Sequence, residues 1–335
     1  MFKQTCLEKH IDKLNKILSY FLFLIITGSI VVGIYLVFFA FLGKEVSWQT
    51  LVPLHFLLFD ISNITSVQFN LGIVFISFWL VYLIVYFICA LKPVPLFNTS
   101  KDERSSKYNF KILDLNPSNS LYIAIQWFSG YFLLSVVIDL VQQLFGIHIG
   151  NPLVANPLLS FFNLTISPLN EEILFRVILL GIPLSLIFFS YKNSFISCLT
   201  NPSKNLSVKS NLGKNVVLLV IFANSVFFGI AHVVFGGNYE VGKISQASLG
   251  GLFLGWLYYR YGLGTSIIFH WISNYVLFSY GLLGFLFFNS SLTEESNNYF
   301  LMPISVAFII LGFLFIYKYS KKFLKRLSEI KKEIT

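Results

Sequence analysis

Three short clusters of ionisable and polar side chains interrupt three of the apolar segments of the chain. They form the patterns EExxxR, FxxxH and HxxxN, made by Glu171, Glu172, Arg176, Phe228, His232, His270 and Asn274. A charge at the centre of a membrane costs roughly 2.5–3.5 kcal/mol on insertion scales, so such residues usually mark a functional site. The clusters are therefore the first candidates for chemistry.

The two glutamates of the first cluster are expected to have different roles. On a helix, the side chains of Glu171 and Glu172 diverge by about 100°. Glu172 and Arg176 are four residues apart and share a face, so we expect them to form an ion pair. Glu171 is left without a partner in its own helix, which is the environment that suits a general base. Pro168 cannot donate a backbone hydrogen bond, and we expect it to break the helix and admit water.

The other two clusters allow two chemical interpretations. In the first, Glu171 and His232 deprotonate a water that attacks a peptide carbonyl, while His270 and Asn274 stabilise the oxyanion. In the second, Glu171, His232 and His270 bind zinc, which activates its own water. Asn274 favours the first interpretation because Asn is a poor zinc ligand and a good oxyanion donor. We therefore favour no cofactor, with zinc as the alternative.

The composition predicts the environment of these clusters. Of the 335 residues, 56% are hydrophobic and 12% are charged, far fewer charges than the roughly 25% of a soluble domain. We predict an all-α polytopic membrane protein of about eight transmembrane helices with an intramembrane active-site cavity. The predicted spans are about 17–42, 71–91, 120–145, 163–189, 214–236, 244–261, 264–288 and 300–318. In the sixth span, Ala247, Gly251 and Gly255 recur at every fourth position and predict close helix packing.

Basic residues alternate from loop to loop. The N-terminal arm, the second and fourth loops and the C-terminal tail are rich in lysine, whereas the intervening loops carry one lysine or none. Because basic loops face the cytoplasm, this pattern places both termini inside and the chain in the cell membrane as a multi-pass protein. The net charge of +9 is thereby explained by orientation and contact with the lipid bilayer, and no nucleic-acid partner is expected.

The ordered trio of clusters resembles the CPBP family of intramembrane proteases, which includes the type II CAAX prenyl endopeptidases. The resemblance covers about residues 157–288 and implies an intramembrane endopeptidase that acts without metal through a glutamate, although members have also been labelled metalloproteases. The implied partner is a peptide or lipidated-protein substrate within the membrane. Glu171, His232, His270 and Asn274 are then the expected catalytic residues. The expected structural support of the site comes from Glu172, Arg176 and Phe228.

Two other function classes remain open. A non-enzymatic immunity or scaffold protein could use the same polar residues for packing, and a transporter could use the carboxylates as a proton relay. We expect four regions, namely an amphipathic arm at 1–16, N-terminal helices at 17–156, the protease core at 157–288, and a last helix with a basic tail at 289–335.

The predicted depths of His232 and His270 conflict with a simple helix bundle. His232 lies near the outer end of its span, whereas His270 lies roughly 12 Å from the inner end of its own. Either the fifth helix starts later than 214, or the helices are uneven, or one loop is on the other side.

Overall fold

A computed structural model describes the chain with gaps. Its described residues are 6–40, 43, 46–53, 55–56, 59–60, 68–91, 119–150, 156–190, 193–236, 238–290, 292 and 297–334. The main α-helices are α1 (Cys6–Phe38), α2 (Leu71–Leu91), α3 (Ser120–Leu144), α4 (Pro157–Glu171), α5 (Ile182–Phe188), α6 (Asn211–Phe235), α7 (Gly242–Tyr261), α8 (Leu263–Trp271), α9 (Leu277–Phe288) and α10 (Leu301–Ile334). The predicted all-α class is confirmed.

Among the described residues, six helical stretches are long and apolar enough to cross a membrane. They are Glu8–Phe38, Leu71–Leu91, Ser120–Leu144, Asn211–Phe235, Leu263–Phe288 and Leu301–Glu329. The predicted spans 163–189 and 244–261 are helical as well, but they are not among these six. The count of eight spans therefore stays a prediction.

Two π-helical segments lie between the α-helices that carry the clusters. Glu172–Gly181 joins α4 to α5, and Ile272–Val276 joins α8 to α9. The expected break at Pro168 was wrong, because this residue lies inside α4 and the helix continues. Pro168 still lacks the N–H that would bond to the carbonyl of Leu164 one turn earlier. π-Helical turns occur frequently at functional sites, and here one starts directly after Glu171.

The antiparallel hairpin of α6 and α7 packs through small residues. A methyl group added at Gly251 would lie 2.9 Å from Ser225 Cα of α6, and one at Gly229 would lie 2.5 Å from the Ile244 carbonyl oxygen of α7. Only glycine allows this approach of the two backbones, so the predicted close packing of the sixth span is confirmed. The α6–α7 turn therefore holds His232 at a fixed distance from the start of α7.

The two terminal helices and the first loop contain structure that the sequence did not predict. The predicted arm at 1–16 is continuous with the first helix from Cys6 onward, and Lys318 of α10 pairs with Asp12 of α1 at 2.9 Å. Two short antiparallel pairs occupy the first loop, with β1 (Leu51–Pro53) on β4 (Gln68–Asn70) and β2 (His55–Phe56) on β3 (Phe59–Asp60). The whole basic loop at 92–118 lies outside the described residues.

Candidate active site

The three clusters meet around the carboxylate of Glu171. Its Oε2 lies 3.8 Å from Nε2 of His232 and 3.7 Å from Nε2 of His270. Both distances are too long for direct hydrogen bonds, and this buried oxygen has no hydrogen-bond partner among the described residues. The two histidines therefore lie at the same depth in the protein. The fifth predicted span, which was expected to start at 214 or later, corresponds to α6. Because α6 begins at Asn211, a late start of this helix does not explain the common depth of the two histidines.

Glu172 projects from the helix at about 100° from Glu171 and is completely buried. One of its carboxylate oxygens accepts a hydrogen bond from Nε of Arg176 at 3.2 Å, which confirms the predicted ion pair. The same oxygen accepts from the Ser266 hydroxyl of α8, and the other oxygen lies 3.0 Å from Nδ1 of His270. Three donors thus balance the cost of burying this charge. Glu172 contacts both the structural arginine and a proposed catalytic histidine.

The guanidinium of Arg176 connects the first cluster to the second. Its Nη1 donates to Oδ1 of Asn224 in α6 at 2.7 Å, and its Cζ lies 4.8 Å from the ring centroid of Phe228. Phe228 in turn contacts the His232 ring edge to face, with centroids 4.5 Å apart. This aromatic ring therefore separates the structural cation from the imidazole and explains why the second cluster begins with phenylalanine.

In His232 and His270, a hydrogen bond from one ring nitrogen determines which nitrogen faces Glu171. Nδ1 of His232 lies 2.8 Å from the carbonyl oxygen of Phe228, which can only accept, so Nδ1 carries the proton. Nδ1 of His270 likewise donates to Glu172. Both rings consequently turn Nε2 towards Glu171. This is the usual way in which a second group orients a functional imidazole.

Asn274 lies in the second π-helical segment beside His270. Its Nδ2 donates to the Ser167 hydroxyl of α4 at 2.9 Å and lies 3.4 Å from Nε2 of His270. Asn274, Ser167 and Glu171 all line one cavity of about 390 Å³, a size typical of small-molecule and peptide pockets. His232 and Phe175 complete the wall next to the carboxylate. The cluster residues thus open onto space that can hold part of a substrate.

The sequence interpretation missed four residues of this site. Asn224, Ser266 and Ser167 hold Arg176, Glu172 and Asn274, respectively, while Lys243 lines the cavity. Asn224 carried the only usable signal, because it lies one helical turn before Phe228 on the same face. The serines carried none, since serine is common in apolar helices.

Glu171, His232 and His270 are the three residues considered above as zinc ligands. Among the described residues, no group of three or more His, Cys, Asp or Glu side chains is arranged to hold one. The zinc alternative at Glu171, His232 and His270 therefore stays a prediction, and no step is assigned to a metal below.

Comparison with known families gives an independent view of this region. The family described as type II CAAX prenyl endopeptidase Rce1-like matches residues 153–276. Through this segment, which is a little over a third of the chain, the protein is similar to the Rce1-like family. All three clusters fall inside the matched residues, which agree with the resemblance predicted for 157–288. No curated protein and no solved structure matched the chain.

The similarity to the Rce1-like family and the six apolar stretches agree with each other. Both support a membrane protein, and the family match supports in general terms a protease of the CAAX type. The matched segment begins just before α4 and ends at the second π-helical segment. It therefore contains every helix that contributes a cluster, whereas α1, α2, α3 and α10 surround it.

Proposed function

We propose that this protein hydrolyses peptide bonds of membrane-associated substrates, including prenylated CAAX tails, in the cavity beside Glu171. The observation that carries the proposal is the position of Glu171 Oε2 between two imidazole Nε2 atoms, at 3.8 and 3.7 Å, in the cavity wall. Polar contacts slightly beyond 3.5 Å are the separation at which a water can bridge. The match of residues 153–276 to a protease family supports the same conclusion.

The hydrogen bonds of His232 suggest how the attacking water is held. With its proton on Nδ1, the neutral ring offers a lone pair at Nε2, and the Glu171 carboxylate is also an acceptor. A water between them donates one proton to each and keeps an oxygen lone pair free for attack. As the C–O bond forms, Glu171 takes a proton from the water. Glu171 then passes this proton to the leaving amine as the C–N bond breaks.

Asn274 and His270 are the proposed oxyanion donors. Asn274 Nδ2 donates in every protonation state, and it already contacts Ser167 and His270. His270 can donate from Nε2 only when its ring carries both protons, because Nδ1–H is committed to Glu172. Asn274 is therefore the donor whose role does not depend on protonation. Donors held in place before the reaction are usually the largest electrostatic contribution to acyl transfer.

Cleavage of a fluorogenic farnesylated CAAX peptide by the purified protein in detergent tests the proposal. We expect wild type to cleave and Glu171→Gln to be inactive with an unchanged melting temperature. Cleavage should survive 1,10-phenanthroline, because no step needs a metal. Loss of cleavage with the chelator and recovery with zinc would support the metalloprotease alternative. A well-folded wild type that cleaves no CAAX peptide would remove this substrate class.

The orientation in the membrane is part of the same proposal. We place both termini in the cytoplasm, because the arm, two of the loops and the tail are rich in basic residues. The ends of α6 and α7 that carry His232 and Lys243 then lie towards the opposite face.

A further inference from the structure

Lys243 lies in the wall of the catalytic cavity but has no part in the mechanism proposed above. It is the only lysine or arginine among the described residues that line this cavity. Its Nζ donates to Oε1 of Gln246 at 2.9 Å and lies 4.7 Å from the ring centroid of Tyr239. The charge of Glu171 also acts on it. A cation thus shares the substrate space with the proposed general base.

The backbone holds Lys243 in this position. Gly242 N donates to the carbonyl oxygen of His148 at 3.0 Å, and Glu240 N donates to that of Ile149 at 2.9 Å. The side chain of Gln142 in α3 donates to the Gly242 carbonyl oxygen at 2.9 Å. Three hydrogen bonds therefore fix the part of the α6–α7 turn directly before the lysine. Its presence in the cavity follows from the fold and not from one rotamer of a surface chain.

The ammonium group is incompletely neutralised. Among the described residues, no carboxylate lies within ion-pair distance of Lys243, and its only hydrogen-bond acceptor is a neutral amide. A lysine ammonium has three donors, so two remain for a ligand. Lys243 is half-buried, and a cation removed from water without a counter-charge is costly. An anionic group of the substrate would supply that counter-charge.

A CAAX substrate has such an anion at a defined position. The prenylated cysteine is followed by three residues that end in the α-carboxylate. Three extended residues span at most about 10 Å, so this carboxylate stays near the scissile carbonyl. We propose that Lys243 binds the C-terminal carboxylate of the substrate, with the three leaving residues lying in the cavity between Lys243 and Glu171. This inference rests on the proposed function and adds a determinant of substrate choice.

The matched probes are a farnesylated CAAX peptide with a free C-terminal carboxylate and the same peptide as a carboxamide. Wild type should cleave the acid with a kcat/KM about 10- to 100-fold higher than the amide, the range expected for a hydrogen bond between charged groups. Lys243→Met should lower kcat/KM for the acid to that for the amide, mainly through KM. Cleavage of the amide should fall far less than that of the acid, and an unchanged melting temperature would show that the variant folds. Lys209→Met, at an exposed lysine away from the cavity, is the control and should behave as wild type.

Equal losses for the acid and the amide in Lys243→Met would overturn the inference and assign Lys243 to the chemistry around Glu171. Equal cleavage of both peptides by wild type would overturn it as well. Binding of uncleavable ketomethylene analogues, again as acid and amide, separates this inference from the proposed function. If wild type cleaves neither peptide, the protease proposal for CAAX substrates fails. Tighter binding of the acid analogue that is lost in Lys243→Met would still support the carboxylate site, and equal binding would exclude it.

Discussion

Nδ1 of His270 lies 3.0 Å from the carboxylate of Glu172, while Nε2 of the same ring faces Glu171 at 3.7 Å. Two adjacent glutamates therefore contact opposite nitrogens of one imidazole. This is possible because neighbouring residues of a helix point in different directions and α8 packs against the helix that carries them. The pair combines a buried carboxylate that orients the histidine with a second carboxylate that opens onto the cavity.

This arrangement predicts that substitution of Glu171 mainly lowers activity, whereas substitution of Glu172 mainly lowers stability. Glu171→Gln should lower kcat by roughly 10²- to 10⁴-fold through loss of the general base, with little change in the melting temperature. Glu172→Gln should lower the free energy of unfolding by about 3–5 kcal/mol, because it breaks a fully buried ion pair with Arg176. Peptide cleavage and thermal unfolding of both variants in the same detergent measure the contrast. A Glu171→Gln protein that melts as early as Glu172→Gln would assign both residues to packing.

Asn274 and Ser167 offer a second paired comparison. Asn274→Ala should lower kcat by roughly 10²- to 10³-fold with little change in KM, the usual effect of removing an oxyanion donor. Ser167→Ala should reduce activity far less, since Ser167 only accepts a hydrogen bond from Asn274. Steady-state kinetics on one peptide separate the two effects. Equal losses in both variants would indicate that the hydrogen bond itself, and not the amide, is what the reaction requires.

Part of this site could be predicted from sequence because its contacts are local. Spacing alone predicts that Glu172 and Arg176 pair and that Glu171 has no partner in its own helix. The contact between Glu172 and His270 joins residues 98 positions apart, and no helical periodicity reports such a distance. The π-helical turns were also beyond the pattern, because a widened turn leaves the apolar periodicity nearly unchanged. The limits of the middle helices were predicted closely, since length and hydropathy determine them, whereas α1 begins well before the predicted span 17–42 and α10 ends well after 300–318.

Asn224 shows what the missing long-range contacts contribute. Its side-chain oxygen accepts from Nη1 of Arg176, whose Nη2 has no hydrogen-bond partner among the described residues. Asn224→Ala would leave a second guanidinium nitrogen unpaired in a buried site, and we expect a loss of about 1–3 kcal/mol in the free energy of unfolding. Thermal unfolding measures this, with the exposed Asn211→Ala as the matched control. If both variants melt like wild type, Arg176 gains nothing from Asn224.

The charge pattern predicts that the loop before α4 and the loop before α6 lie on opposite sides of the membrane. In a variant with serine at the native cysteines, we expect His148→Cys to react with a membrane-impermeant maleimide on intact cells. Lys209→Cys should react only after permeabilisation, because its loop is basic and cytoplasmic. The reverse pattern would place both termini outside. The experiment also decides which face Lys243 serves, since the backbone of His148 is hydrogen-bonded to Gly242. Labelling of His148→Cys from outside would therefore mean that the substrate carboxylate is bound at the end of the cavity remote from the cytoplasm.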